Sequence, residues 1–409
     1  MNKKLKLISV AILLLAGITL KAQDSNENKE EIARPLQITF FSPLGTNGID
    51  SWKITNRLSI NIIAGVNGGL HGVEIGGLAN VLKGDMHGLQ ASGFVNHVMG
   101  SAEGLQAAGF YNYTNKEFRG GQFSGFLNVS AGRIEGIQLS GFLNYANSGY
   151  VSQGSAFVNV NLGEVKGFQI AGFANISTNE IEGVQASGYY NHARGIKGVQ
   201  ASGFMNLVSG NVDGVQVSGF LNIAKRLNGA QIGFINVVDT LESGVALGFL
   251  SFVGNGYKAF EISGNESQYA VMNFKTGTRS FYNILSLGAR AQDEEILWGF
   301  GYGIGSMVPL SNKVALNLEV LGYHMNEDEW FTENLNELYK AQAVFSVDLT
   351  KHLAIYGGPS WNVTVTDTDA CNGQTFESSV APWTAFDKNY EDDINIKMYP
   401  GFTAGIRIF

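Results

Sequence analysis

The sequence predicts an all-β fold in which a β-solenoid of 16-residue repeats is combined with a small antiparallel β-barrel. Glycine accounts for 53 of the 409 residues, roughly twice its usual share, which is typical of a repeat with many tight bends. Asparagine recurs about every 16 residues between residues 70 and 250. After residue 278 the repeat gives way to longer segments in which apolar and polar residues alternate, as they do in barrel strands.

The composition argues against several classes of function. The formal net charge is −8, and the 27 Lys and Arg residues form no run beyond the first few positions, so the chain lacks the basic patch that nucleic acids require. One Cys and six scattered His residues provide neither a metal-ligand spacing nor an internal disulfide. We therefore expect no nucleic-acid partner, no metal or other cofactor, and no catalytic or cofactor-binding residues.

The N-terminus has the features of a secretory signal peptide. Lysines near the start precede an apolar stretch from Leu7 to Leu20, which is shorter than the ~20 residues of a membrane-spanning helix. Ala22 then precedes a polar segment. We predict a signal peptide over residues 1–22 and a polar leader over 23–34, so the mature protein is expected to be exported.

The repeat region is predicted to cover residues 67–254. Its unit reads Gly-apolar-Gln-apolar-Ser/Ala-Gly-Phe/Tyr-x-Asn, as in residues 214–222. This unit is too short for a helix pair or a propeller blade, and its alternation has the period of a strand. We predict that each unit is one solenoid coil made of two strands of about five residues, with glycine at both bends.

Stacking of such coils would align three columns of equivalent residues into structural ladders. Gln and Asn side chains would bond to their equivalents ~4.8 Å away, and each Phe ring would lie over the next. The predicted ladder residues are Gln90, Gln106, Gln122, Gln138, Gln169, Gln185, Gln200, Gln216, Asn96, Asn112, Asn128, Asn144, Asn175, Asn191, Asn206, Asn222, Phe94, Phe110, Phe126, Phe142, Phe173, Phe204 and Phe220.

The alternative is one large up-and-down β-barrel in which each unit forms a single strand of about ten residues. Every connection in the repeat is equally short, whereas strands of membrane barrels normally alternate short and long connections. The missing residue before Gly233 would also turn half of a strand to the opposite face. Both points favour the solenoid.

The C-terminal part, residues 279–409, is predicted to form barrel strands. Alternating segments cover residues 280–291, 296–309, 314–320, 339–349, 353–365 and 396–409. Two further strands are assigned to residues 35–66, at Leu36–Phe41 and Leu58–Ala64, and residues 255–278 are treated as a transition. The total of eight matches the smallest common outer-membrane barrel, whose interior is filled by side chains. If the last strand ends at the periplasmic side, the solenoid enters and leaves on that side.

The repeat also carries a resemblance to known proteins. Its GVQxSGFxN units, placed between a signal peptide and a barrel-like tail, resemble bacterial surface-repeat outer-membrane proteins of Bacteroidetes and spirochaetes. The tail segment TGTRSFYNILSLG, residues 276–288, resembles Bacteroidetes outer-membrane barrel proteins. The resemblance implies an envelope protein and transfers no catalytic residue.

We expect a non-enzymatic structural or adhesin-like interaction protein that displays a β-repeat rod at the outer membrane or cell surface of a Gram-negative bacterium. Its expected partners are outer-membrane lipid and, further, a protein or glycan ligand. One alternative is a passive outer-membrane channel. Another is a protein acting on envelope glycan or lipid, for which the acidic loops beside Trp330 and Trp383 would provide carboxylates next to aromatic rings.

Overall fold

The computed structural model describes residues 32–292, 295–327, 330–331, 334–368, 376–390 and 393–409. The predicted signal peptide and most of the polar leader lie outside these residues. The strands form two sheets, one of 23 strands and one of nine. The part of the chain that the structure describes contains no helix with the length and apolar character that crossing a bilayer requires.

The first sheet consists of strands β1 to β23, and a short 3-10 helix, Gly48–Lys53, lies between its second and third strands. In chain order these strands are Ile32–Phe41, Leu44–Gly45, Ile54–Asn67, Gly69–Gly76, Ala79–Leu82, Met86–Ser92, Val95–Val98, Ala102–Ala108, Tyr111–Thr114, Phe118–Ser124, Leu127–Ser140, Leu143–Ser155, Val158–Asn161, Val165–Ala171, Ala174–Ser177, Glu180–Ser187, Tyr190–Ala193, Gly195–Ser202, Met205–Val208, Asn211–Ser218, Leu221–Ile232, Ile235–Leu247 and Leu250–Val253.

The first sheet is a parallel β-solenoid of about 12 turns. Each strand pairs with the equivalent strand of the next coil, so that Gln90 of β6 lies beside Gln106 of β8 and Asn96 of β7 lies beside Asn112 of β9. A coil typically has one strand of seven residues and one of four. The solenoid prediction is confirmed. The large up-and-down barrel is wrong, because its neighbouring strands would have to be antiparallel.

The assignment of residues 35–66 to the barrel is wrong. Strands β1 and β3 pair with each other in parallel, with Leu36 beside Leu58, and β3 continues into the solenoid by pairing with β4. In this segment Gln37 and Ser59 are buried inside the coil while Leu36 and Leu58 are exposed. The alternation is therefore real, but the same alternation fits a solenoid strand and a membrane-barrel strand.

The second sheet is a closed antiparallel barrel. Its strands β24 to β32 are Tyr257–Asn265, Ala270–Gly277, Tyr282–Gln292, Glu295–Pro309, Val314–Asn326, Asn336–Asp348, Leu353–Asp367, Phe386–Asn389 and Ile394–Ile408. The eight strands other than the short β31 form the wall, and pairing of β24 with β32 closes it. The predicted number of eight barrel strands is confirmed. The two strands that the sequence analysis assigned to residues 35–66 are instead β24 and β25, which lie inside the segment that it treated as a transition.

The barrel has two different rims. The chain enters the barrel at Tyr257 close to where it ends, because Phe260 pairs with Ile408. Four-residue connections at 278–281, 310–313 and 349–352 lie at this same rim, which we call the junction rim. The opposite, far rim carries the four-residue connection 266–269, and the strands that flank the longer segments 327–335 and 368–393 also end there. The solenoid therefore joins the barrel at the rim where all three connections between strands are short, whereas the far rim has both short and long connections.

Glycine sets how closely the coils can stack. Gly120 has a φ of +129°, and a Cβ atom built on it would lie 2.0 Å from the carbonyl oxygen of Gly104 in the preceding coil. The strand therefore needs glycine for two reasons. The positive φ lies outside the regions that L-residues usually adopt, and the neighbouring backbone occupies the space of a side chain.

We predict that Gly120→Ala lowers the free energy of unfolding by at least about 2 kcal/mol, from backbone strain and overpacking. Gly154→Ala is the matched control, since its Cβ would meet only the flexible Leu139 side chain, at 2.8 Å. Thermal unfolding of the purified full-length variants, followed by circular dichroism, measures the difference. Equal melting temperatures for the two variants would contradict the prediction.

Candidate functional site

A continuous ladder of glutamine side chains runs through the solenoid. The Nε2 of Gln106 donates to Oε1 of Gln90 at 3.0 Å, and Gln122 donates to Gln106 at 2.8 Å. These side chains are fully buried. The same bond, always donated toward the N-terminal coil, joins Gln90, Gln106, Gln122, Gln138, Gln153, Gln169, Gln185, Gln200, Gln216 and Gln231.

A second ladder is formed by asparagine and has the opposite direction. The Nδ2 of Asn96 donates to Oδ1 of Asn112 at 3.0 Å and also to the carbonyl oxygen of Ala107 at 2.7 Å. The ladder consists of Asn61, Asn80, Asn96, Asn112, Asn128, Asn144, Asn159, Asn175, Asn191, Asn206, Asn222 and Asn236. Because the two amide columns point in opposite directions, their dipoles oppose each other.

Glu74 terminates the glutamine ladder. Its carboxyl group accepts hydrogen bonds from Gln90 Nε2 and Asn61 Nδ2, each at 2.9 Å, and from Asn67 Nδ2. Burial raises the pKa of Glu74, and the hydrogen bonds from neighbouring amides and Ser59 oppose that rise. A carboxylate is the side chain that accepts without donating, which suits the end of a ladder whose amides all donate in this direction.

The predicted list of ladder residues is incomplete, and Gln153 and Glu74 are among the residues that it omits. Gln153 donates to Gln138 Oε1 at 2.8 Å. It lies 15 residues after Gln138, and Asn159 likewise lies 15 residues after Asn144. The spacing in both columns therefore indicates that this coil is one residue shorter. Glu74 stands 16 residues before Gln90. Its place in the glutamine column could be predicted from this spacing. Its role as the acceptor at the end of the column depends on the direction of the hydrogen bonds, which the sequence does not reveal.

The phenylalanine column forms an exposed stack of rings on one edge of the solenoid. Neighbouring rings such as Phe126 and Phe142 have centroids 4.7 Å apart and planes within 1° of parallel. We call this column the aromatic edge: Phe94, Phe110, Phe126, Phe142, Phe157, Phe173, Tyr189, Phe204, Phe220, Phe234 and Phe249. Each ring retains more than a third of its surface exposed.

The opposite side of the coil carries the charges. We call it the polar edge, formed by His87, Glu103, Arg119, Glu135, Lys166, Glu182, Lys197 and Asp213. Its side chains alternate in sign, and its ion pairs are exposed, as for Arg119 and Glu135 at 3.7 Å. Exposed pairs of this kind contribute little to stability. Among the described residues, no group of three or more His, Cys, Asp or Glu side chains could hold a metal ion.

The barrel interior contains a buried network of charges. Lys275 Nζ lies 2.9 Å from Glu261 Oε1 and also bonds to Glu319. Arg407 Nε donates to Glu261 at 2.6 Å, and the Tyr282 hydroxyl donates to Glu319 at 2.7 Å. The four charged side chains comprise two acids and two bases, so the network is balanced; three of them have no exposed surface and Glu319 has 2%.

The barrel exterior is apolar. Large side chains that alternate with the buried polar ones are exposed on its wall: Phe260, Ile262, Met272, Phe274, Leu285, Leu287, Phe300, Ile304, Leu318, Val320, Phe345, Val347, Ile355, Trp361, Phe402 and Ile406. The interior of the barrel holds the charged network together with a cluster of buried aromatic and aliphatic side chains that includes Tyr282, Ile284 and Leu321. The exterior of the wall is apolar, unlike the surface of a water-soluble barrel.

Loops cover the barrel at the far rim. Glu327 accepts hydrogen bonds from Ser378 Oγ at 2.6 Å and from the backbone N–H of Ser379 at 2.9 Å. Arg290 Nη2 donates to the Ser379 carbonyl oxygen at 2.6 Å. Glu327 belongs to an acidic loop in which sequence placed a glycan-binding alternative, and its carboxylate is engaged in this internal contact.

The solenoid ends against the barrel. The N–H of Ser251, in the last solenoid strand, donates to Asn283 Oδ1 at 3.1 Å, and its carbonyl oxygen accepts from Thr276 Oγ1 at 2.9 Å. Phe249 stacks on Tyr302 of the barrel wall with a centroid distance of 4.3 Å. The barrel thus covers part of the open edge of the last coil, which would otherwise expose unpaired backbone groups.

The comparisons with known proteins identify no relative. No protein-family model matches the chain, and neither a curated protein nor a solved structure is similar to it.

We predict that wild-type protein loses stability relative to Glu74→Gln as the pH rises from about 4 toward 8. Because the pKa of folded Glu74 lies above its ordinary value of 4.5, its contribution is fully present below that value and is lost as the pH rises through the folded pKa. A tenfold change in the acid constant corresponds to about 1.4 kcal/mol.

Urea unfolding of both full-length proteins over this pH range provides the measurement, and Glu103→Gln on the polar edge is the matched exposed control. A stability difference between wild type and Glu74→Gln that is constant with pH, or that changes in the opposite direction, would show that the buried carboxyl group does not titrate as proposed.

Proposed function

We propose that the protein is a non-enzymatic outer-membrane protein whose eight-stranded barrel anchors a rigid β-solenoid in the bacterial envelope. One observation carries the proposal: the exterior of the barrel wall is apolar, while the charged side chains of Lys275, Glu261 and Arg407 are fully buried in its interior. An apolar exterior of this extent is unfavourable in water and suits acyl chains. The predicted signal peptide and the resemblance of the repeat to surface-repeat outer-membrane proteins support the same location.

The solenoid has the properties of a rigid structural element. About 12 turns at ~4.8 Å per turn give a length on the order of 55 Å. Buried amides link successive coils along the two ladders, and stacked rings link the coils from Phe94 to Phe249, so bending would break contacts between neighbouring coils. The ladder amides already pair with one another, which makes them poorly suited to binding a separate ligand.

The filled interior favours an anchor over a passive channel. Lys275, Glu261 and Arg407 have no solvent-exposed surface, so the lumen is closed where these side chains meet. Opening it would separate buried ion pairs, and removing one partner of such a pair costs about 3–5 kcal/mol.

The connection lengths support an orientation. Bacterial outer-membrane barrels have short turns on the periplasmic side and longer loops outside. The three four-residue connections of the junction rim would then face the periplasm, and the solenoid would leave the barrel on that side.

We expect the protein to remain in the pellet when membranes of expressing cells are extracted with sodium carbonate, because a lipid-embedded barrel is not released by high pH. The purified protein should also produce no steady conductance in planar bilayers, since its lumen is filled. Release into the supernatant would contradict the anchor, and reproducible channel steps would favour the channel alternative.

A further inference from the structure

The solenoid coil is built in two halves with opposite polarity. Beside the aromatic edge, the interior is polar, since Gln90 and Asn96 are fully buried there, while Phe94 outside is 49% exposed. Beside the polar edge the order is reversed: Met86 is fully buried and Glu103, one coil on, is exposed and charged. The second half has the arrangement of a water-soluble protein, and the first half has that of the barrel wall.

The apolar surface extends from the aromatic edge onto both adjoining faces. On one side, the outward positions of the short strands hold residues such as Leu127 and Val129. On the other side, Phe123 and Leu139 are exposed on the long strands. This surface repeats in successive coils, which makes it far longer than the isolated apolar patches of soluble proteins.

The geometry of the rings limits what can bind to them. The rings of Phe126 and Phe142 are parallel to within 1°, so their faces are covered by each other and only their edges point outward. A sugar stacks on an aromatic face, and polar partners need hydrogen-bonding groups, which phenylalanine lacks. Acyl chains need neither, so the edge is chemically suited to hydrocarbon.

The aromatic edge is continuous with the apolar wall of the barrel. Its last ring, Phe249, stacks on Tyr302, which lies on the outer side of β27 between the exposed Phe300 and Ile304. The column of rings therefore leads directly into the surface that would face lipid. Parallel pairing of the strands satisfies the backbone groups of the coil, which is the condition for placing a strand in hydrocarbon.

We propose that the aromatic edge of the solenoid is inserted among the acyl chains of the membrane that holds the barrel, while the polar edge remains in water. The solenoid is then a rod lying in the membrane surface, not one projecting freely from it. This inference rests on the proposed function of the barrel as a membrane anchor.

The test measures contact with lipid at single labelled positions of the full-length mature protein. Cys371, the one cysteine of the sequence, is replaced by Ser, and single cysteines are introduced as Phe126→Cys on the aromatic edge, Arg119→Cys on the polar edge of the same coil, and Phe345→Cys on the barrel wall. Each is labelled with an environment-sensitive NBD fluorophore. The proteins are reconstituted in phosphatidylcholine–phosphatidylglycerol vesicles with or without nitroxide-labelled acyl chains.

We expect the label at Phe126→Cys to be blue-shifted and quenched by the nitroxide lipid about as strongly as at Phe345→Cys, and at least about twofold more than at Arg119→Cys. Because Phe126→Cys interrupts the ring stack, Leu127→Cys on the adjoining face provides a second position, with circular dichroism confirming that each variant is folded.

The outcomes separate this inference from the proposed function. Quenching at Phe345→Cys without extra quenching at Phe126→Cys and Leu127→Cys would leave the anchor intact and overturn the inserted edge. A blue shift at these two positions without lipid quenching would mean that protein, such as a second copy, covers the edge, and would also overturn it. Absence of quenching at Phe345→Cys would refute the anchor itself, and with it the inference.

Discussion

Parallel, in-register stacking of equivalent coils is the constraint on which the solenoid depends. Each position lies directly above its equivalent, so a residue type can repeat from coil to coil in the interior or along the aromatic edge only if it can interact with a copy of itself. Glutamine and asparagine meet this condition because each amide both donates and accepts, and phenylalanine meets it through ring stacking. Gly104 and Gly120 meet it because neither has a side chain between the two backbones. The repeat is thus a consequence of self-pairing.

The same stacking explains how polar side chains can fill an interior. A single buried amide would cost free energy, but each glutamine from Gln106 to Gln216 has an amide partner in the coil above and in the coil below. Glu74 accepts the hydrogen bond at the N-terminal end of the glutamine column, whereas Gln231 Oε1 at the other end has no hydrogen-bond partner among the described residues. The barrel uses Lys275 and Arg407 with Glu261 for a similar purpose. With amides paired inside the coil and opposite charges paired inside the barrel, apolar side chains face outward on the barrel wall and the aromatic edge.

The sequence predicted the parts of the structure that come from repetition. The spacing of Asn and Gln was sufficient for the solenoid, and the alternation after residue 278 was sufficient for six barrel strands. It failed where two structures share one pattern: Leu36 and Ile38 alternate with Gln37 and Thr39 equally in a solenoid strand and in a barrel strand. It also missed β24 and β25, which follow the repeat directly. The role of Glu74 was missed because the direction of a hydrogen-bonded ladder has no signature in the sequence.

The most direct test of the account is hydrogen exchange of the glutamine side-chain amides, measured by NMR on selectively ¹⁵N-Gln-labelled full-length protein, with signals assigned by single substitutions. The account predicts that the amide protons of residues such as Gln122 and Gln200 persist in D₂O long after those of solvent-exposed amides are lost, because they are buried and bonded to the adjacent coil. Exchange of the ladder amides as fast as that of free glutamine would contradict the stacked, amide-linked solenoid.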